Sequence, residues 1–181
     1  MDQANQITAY ATLAIAILSP ISILIAFYAV KKQNRQAIKA NNDFKLSLGA
    51  DLAIRLEERF ICKDFKAIRT KSAQSFLGQV ESNDFEEVFD FFETVGLLLR
   101  LEAFNSEIVH NFFFHWINLY WTAGKGYIST KRQDTKTVWQ DFEFAFQKTT
   151  EIEKIKDQNS KDLYLSGERL KEQLTEEIFK K

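Results

Sequence analysis

From residue 3 to residue 30 no Asp, Glu, Lys, Arg or His interrupts the chain, and residues 9–30 read AYATLAIAILSPISILIAFYAV. A run of this length predicts a transmembrane helix, because ~20 residues rising ~1.5 Å each cross a hydrocarbon layer. Tyr10 and Tyr28 stand near its ends, ~27 Å apart on a helix, the spacing of an interfacial aromatic belt. Pro20 falls mid-span and predicts a kink, with Ser19 and Ser22 close by to compensate the lost donor. A cleaved signal peptide would need a basic start, a shorter apolar stretch and a small-residue cleavage site. The early charge is instead Asp2, the run is too long, and Phe27 with Ala29 does not fit a cleavage pattern. The expectation is therefore a retained anchor.

Beyond residue 40 the apolar positions take a helical period. Phe44, Leu48, Leu52, Leu56 and Phe60 recur every fourth residue, an amphipathic stripe that Asn42 or Asp43 could cap. Gly49 weakens its middle without breaking it, and the first helix could run on into this one. A second helix is expected over 64–78. A third follows Ser82-Asn83-Asp84, a capping cluster, and reads FEEVFDFFETVGLLLRL. It is apolar over most of its surface and should form the buried centre. A fourth starts at Ser106 and Glu107, contains FFFHWINLYW, and should end at Gly124 and Gly126. A fifth carries Val138, Trp139, Phe142, Phe144 and Phe146. A last amphipathic segment sets Leu163, Leu170, Leu174 and Ile178 on one side, to pack on the body or pair between subunits. The predicted fold is all-α. One N-terminal tail and transmembrane helix (1–31) precedes a cytosolic bundle (32–181) of about five helices.

Composition adjusts this picture. The 181 residues are 45% hydrophobic and 27% charged, with 17 Phe but one Pro, one Cys and six Gly. One Cys cannot make an internal disulfide, and so few turn residues argue against a mainly β protein. The aromatic surplus of residues 85–146 exceeds what a small bundle needs and points to subunit contacts as well as core. The net charge of −1 is uneven, since residues 41–181 carry 20 basic and 24 acidic side chains. That acidity argues against a general nucleic-acid binder. Two basic clusters remain, Lys63, Lys66, Arg69, Lys71 and Lys125, Lys131, Arg132, Lys136, both read as solvated. The collar Lys31, Lys32, Arg35 and Lys39 follows the apolar run with no basic side chain before it. The positive-inside rule then places the N-terminus outside and the rest in the cytoplasm. Cys62, read as buried and structural, suits a reducing compartment.

Candidate chemistry is sparse. Thr8, Thr12, Ser19 and Ser22 fall within about ±40° of one line on a helix, to pack against another span or to line a pore. Glu86, Asp90 and Glu93 share a helix face, yet neither His follows a Glu at the spacing of a carboxylate-bridged metal bundle. They read as a solvated face. Gly124-Lys125-Gly126 lacks the remainder of a phosphate loop. His110 and His115 point ~140° apart on a helix and cannot share a metal. No metal and no cofactor is expected. Asn105 and His110, five residues apart near a helix start, are the weak catalytic candidates.

The stretch from Phe85 to about Lys148 resembles a bacterial family of small single-span membrane proteins of unknown function. The residues that carry the likeness are GLLLRLEAFNSEIVHNFFFHWINLYW (96–121) and Val138-Trp139-Gln140-Asp141-Phe142. The layout as a whole resembles the small accessory membrane protein of type VI-B CRISPR systems, which has a divergent HEPN-like helical domain. The resemblance implies a homo-oligomer in contact with lipid in the bacterial inner membrane. It implies a pore that permeabilises the membrane and strengthens antiphage defence beside an RNA-guided nuclease. HEPN ribonucleases place an Arg four to six residues before the His. Here Arg100 stands ten residues before His110 and no Arg has the required spacing. Without that Arg the phosphate transition state lacks its stabilising charge, so the expectation leans away from an enzyme. The alternatives are a membrane-anchored RNA-binding or RNA-cleaving module using His110 as base, and an anchored non-enzymatic scaffold.

Overall fold

The computed structural model describes the backbone of residues 3–78, 84–160, 163 and 165–179, with side chains from residue 26 onward. Six helices account for its regular structure: α1 (Gln3–Ile61), α2 (Lys63–Gly78), α3 (Asp84–Arg100), α4 (Ser106–Asp134), α5 (Gln140–Lys156) and α6 (Gly167–Phe179). The fold is all-α, with no strand among the described residues. The chain divides into two compact units, Met1–Phe44 and Lys45–Lys181.

The first finding corrects the expected N-terminal transmembrane helix. Among the described residues no helix is long and apolar enough to cross a membrane. The helix does not close near residue 31. It continues to Ile61, and between residues 31 and 45 it carries Lys31, Lys32, Arg35, Lys39, Asp43 and Lys45. Charge at this density keeps the 31–45 part of α1 out of hydrocarbon, as expected for the collar. The side chains of Thr8, Thr12, Ser19 and Ser22, which carry the packing or pore reading, lie outside the described residues. So does the Ser82-Asn83 part of the expected cap of α3. In the first unit every described side chain from 26 to 44 is exposed, the basic collar included.

The second unit is built around α3. Its sequence was expected to be central, and Phe85, Val88, Phe89, Phe91, Phe92, Val95, Gly96 and Leu99 are buried. Each of the Phe, Val and Leu side chains withdrawn from water contributes ~1.5–3 kcal/mol before the entropy of ordering it is subtracted. The rings interlock in tilted and edge-to-face pairs. Phe60 meets Phe91, Phe92 and Trp116 at centroid distances of 5.1, 5.6 and 5.3 Å. Phe92 stacks on Phe142 at 5.1 Å. The Phe surplus is thus largely consumed as core.

Two glycines set the closest approaches. A Cβ on Gly96 would collide with the backbone carbonyl of Asp141, so the approach of α5 to α3 at this point requires glycine. A Cβ on Gly124 would strike the Phe89 ring. Gly124 therefore does not end α4, which continues to Asp134. Its missing side chain makes room for an aromatic ring from α3, a packing role that offsets the ~1 kcal/mol cost of glycine inside a helix. Two further local expectations change. Cys62, in the break between α1 and α2, is exposed. Val138 and Trp139 precede α5, and Trp139 takes a left-handed conformation at φ 51°. Helix α6 is amphipathic as expected and packs on α2 and α4, burying Leu174 and Glu177.

Candidate functional site

Three polar clusters and one uncovered surface are the places where chemistry or recognition could reside. The first cluster surrounds the start of α5. A helix begins with backbone donors that lack intrahelical partners. Trp139 offers no side-chain cap. The vacancy is filled from another helix, because Phe142 N donates to Glu93 Oε2 at 2.7 Å. A carboxylate at a helix N-terminus also gains from the helix dipole. Burial pushes the Glu93 carboxyl up, and the neighbouring Asp141 charge adds to this against the pull of the Phe142 donor. Asp141 accepts a two-pronged contact from Arg100, Nε at 2.6 Å and Nη2 at 2.9 Å, a fork that fits a carboxylate plane. Arg132 donates to the carbonyls of Val138 and Trp139 at 2.9 and 3.0 Å and pairs with Glu143 at 2.5 Å. Trp139 Nε1 donates to Asp90 Oδ1 at 2.8 Å. These contacts hold the left-handed residue that joins α4 to α5.

Asp90 is exposed and Glu86 and Glu93 are half-buried, so the face their spacing suggested is solvated only in part, and each carboxylate has a partner. Glu86 accepts from the Tyr127 hydroxyl at 2.8 Å and pairs with Lys131 at 3.0 Å. Each carboxylate fastens a different part of the α4–α5 corner to α3. No group of three or more metal-ligating side chains occurs among the described residues.

The second cluster contains the sequence-level catalytic candidates. Asn105 is the N-cap of α4, with its Oδ1 accepting from Glu107 N at 2.8 Å, a contact that typically contributes ~1 kcal/mol to stability. His110 lies one turn on, stacked on Phe114 at 5.0 Å. Its Nε2 is 2.8 Å from Glu153 Oε2, and its Nδ1 is 3.4 Å from both Asn111 Oδ1 and Lys156 Nζ. A general base needs one ring nitrogen directed at a substrate proton. Both His110 nitrogens already face protein groups, and the pair ties α4 to α5. Asn105 and His110 are near each other in sequence, yet each has its own partner set.

The third cluster was not legible in the sequence. Arg69, read as part of a basic patch, is only 4% exposed. Its guanidinium lies 4.0 Å from the Phe60 ring centroid and 4.8 Å from that of Trp116, and Nη1 is 2.9 Å from Glu177 Oε1. In the other basic cluster Lys131 and Arg132 are paired with Glu86 and Glu143. Pairing thus withdraws Arg69 from the first cluster and Lys131 and Arg132 from the second, and leaves only lysines in each.

Two of these carboxylates carry a pH prediction. Lys131, then Tyr127, hold the Glu86 carboxyl below its ordinary value. The Ser160 hydroxyl, then His110, do so for Glu153 against the upward push of burial. A depressed carboxylate adds stability above the ordinary value of 4.5 and loses that contribution as pH falls through the folded value. Urea midpoints of the protein should therefore fall below about pH 5. The Glu86→Gln/Glu153→Gln variant should lose part of that acid slope. A variant with the slope of the parent protein would remove these two groups as its source.

The uncovered surface is on α1. On one side of it Phe27, Val30, Ile38 and Phe44 are 69, 55, 63 and 66% exposed, and Tyr28, 71% exposed, stands on the other. The collar residues Lys31, Lys32, Arg35 and Lys39 are exposed on the same helix. Isolated exposed apolar residues are ordinary; a contiguous row of large ones marks a contact surface.

No curated protein and no solved structure matches this chain. A family described as a domain of unknown function (DUF4760) matches residues 16–148. That range includes the α4–α5 corner and the exposed row on α1, and leaves α6 outside. The match covers well over half of the chain, and the protein belongs to the DUF4760 family.

Proposed function

We propose that the protein is a non-enzymatic assembly module, which joins copies of itself through the exposed row on α1. The observation that carries this reading is the set of large apolar side chains, Phe27, Val30, Ile38 and Phe44, left in water on α1. Covering each would gain ~1.5–3 kcal/mol. The ionisable side chains of the α4–α5 corner and around His110 are committed to holding helices together, which also favours a structural role over a catalytic one. The pore reading depended on a spanning helix and is not carried forward. An accessory role in antiphage defence, with an RNA-guided nuclease as functional partner, draws its support from the likeness of residues 96–121 and 138–142 noted above. A homo-oligomeric scaffold is compatible with that role.

The test is the mass of the particle. Light scattering on the purified 181-residue chain should return a multiple of its 21.1 kDa. The Phe27→Asp/Val30→Asp/Phe44→Asp variant should fall to a single chain with its helix content intact. A variant with the particle mass of the parent protein would exclude this surface.

A further inference from the structure

The row on α1 has an order that identifies its partner. Counted in sevens, Phe27, Asn34 and Asn41 occupy one core position, and Val30, Ala37 and Phe44 occupy the other. The steps alternate three and four residues, the repeat that keeps a seam facing a second helix. All six side chains are exposed. On a helix they lie within about 100° of one another, and Ile38 flanks them. The charged residues of this segment, Lys31, Lys32, Arg35, Lys39 and Asp43, fall on the remaining surface. The stripe itself is neutral although the segment is strongly basic. A stripe without charge on a basic segment does not suit an acidic partner, which would be met by the opposite face.

Asn34 and Asn41 discriminate among neutral partners. An amide at a coiled-coil core position costs stability and fixes register. In a parallel, in-register pair each core position faces its own counterpart. Asn34 then meets Asn34 of the second copy, and Asn41 meets Asn41, with a donor and an acceptor on each side. In an antiparallel pair each Asn would face Ala, Val or Phe and lose its hydrogen bonds on burial, at a cost of ~1–3 kcal/mol per group. Two amides seven residues apart thus match one partner well: the same segment, in the same direction and register.

We propose that residues 27–44 pair with the same segment of a second copy as a parallel, in-register coiled coil whose register is set by Asn34 and Asn41. This inference rests on the assembly reading and adds the direction and alignment of the copies. The experiment uses the 181-residue chain carrying Cys62→Ser, because Cys62 is exposed. Into it Phe27→Cys and Phe44→Cys are introduced separately, ~26 Å apart along the helix, with Tyr28→Cys as a control on the opposite face. Under mild oxidation the Phe27→Cys and Phe44→Cys proteins should each form a disulfide-linked dimer with itself, while Tyr28→Cys should not. Adding Asn34→Leu/Asn41→Leu should permit a Phe27–Phe44 cross-link when the two cysteine variants are mixed, because an antiparallel pair sets Phe27 opposite Phe44. A cross-link that appears only on mixing, with both Asn present, means antiparallel pairing and overturns the proposal. Multimeric particles in which neither position cross-links with itself overturn it too, and leave the assembly reading standing. A single-chain mass for the protein defeats both.

Discussion

Replacing Glu177 with alanine should remove about 3–5 kcal/mol of stability, the penalty typical of a buried ion pair that loses one member. Arg69 and Glu177 have side chains 5% and 3% exposed and approach to 2.9 Å. The guanidinium lies against Phe60 and Trp116, rings that attract a cation but provide no acceptor in place of a carboxylate. Its Nε has no hydrogen-bond partner among the described residues, so Glu177 supplies most of the compensation for burying the charge. Folded domains are stable by only ~5–15 kcal/mol, which makes this one carboxylate a large fraction of the total. Because Glu177 belongs to α6, release of that helix is the chain's way of rehydrating Arg69. Hydrogen exchange across Gly167–Phe179 should accelerate in the variant together with the fall in urea midpoint. The Arg69→Met/Glu177→Leu protein should recover most of the loss, since a buried pair exchanged for apolar side chains of similar volume is often neutral or stabilising. A loss below about 1 kcal/mol in Glu177→Ala, with α6 still protected, would mean that water reaches the pair.

The second large effect is expected at Gly96. Alanine there brings a methyl group into the backbone carbonyl of Asp141, which has no rotamer by which to yield. Helix α5 must move away from α3. The Arg100 fork on Asp141 and the Glu93 cap on Phe142 both span that contact. Overpacking a close contact costs ~1–3 kcal/mol, and more when hydrogen bonds go with it. We therefore expect about 3 kcal/mol or more for Gly96→Ala. Gly126 is the internal control, because a Cβ there meets nothing within 4 Å. Gly126→Ala should be stabilising by up to ~1 kcal/mol from helix propensity alone. Equal effects at the two positions would contradict the packing account.

The contrast between these glycines shows what the sequence could convey. Gly124 and Gly126 look alike in a linear reading, two glycines after an aromatic run, and both suggested a helix end. Only the position of Phe89 against Gly124 shows that the helix passes through. Helix positions and the centrality of α3 were legible because they depend on local period, and α3 is apolar over most of its turns. The capping region of α4 was legible in part. Asn105 was noticed for its distance from His110, whereas its bond runs to Glu107 N. The partners of the three α3 carboxylates, Tyr127, Trp139 and Phe142, were missed because they stand 41 to 49 residues away and leave no trace in local spacing. Arg69 was counted with its lysine neighbours for the same reason, since Glu177 is over a hundred residues distant. The apolar run of residues 9–30 was the strongest linear signal and the one most readily overextended. It suggested a spanning helix, which no described helix is apolar enough to be, whereas the run-on of the first helix that the sequence allowed is what α1 shows, through the charged collar to Ile61.

The central claim is that this chain works by joining copies of itself along α1, and particle mass tests it most directly. Light scattering over a dilution series of the 181-residue protein should give at least twice 21.1 kDa, falling toward one chain only on dilution. A mass of 21.1 kDa at every concentration would contradict the account.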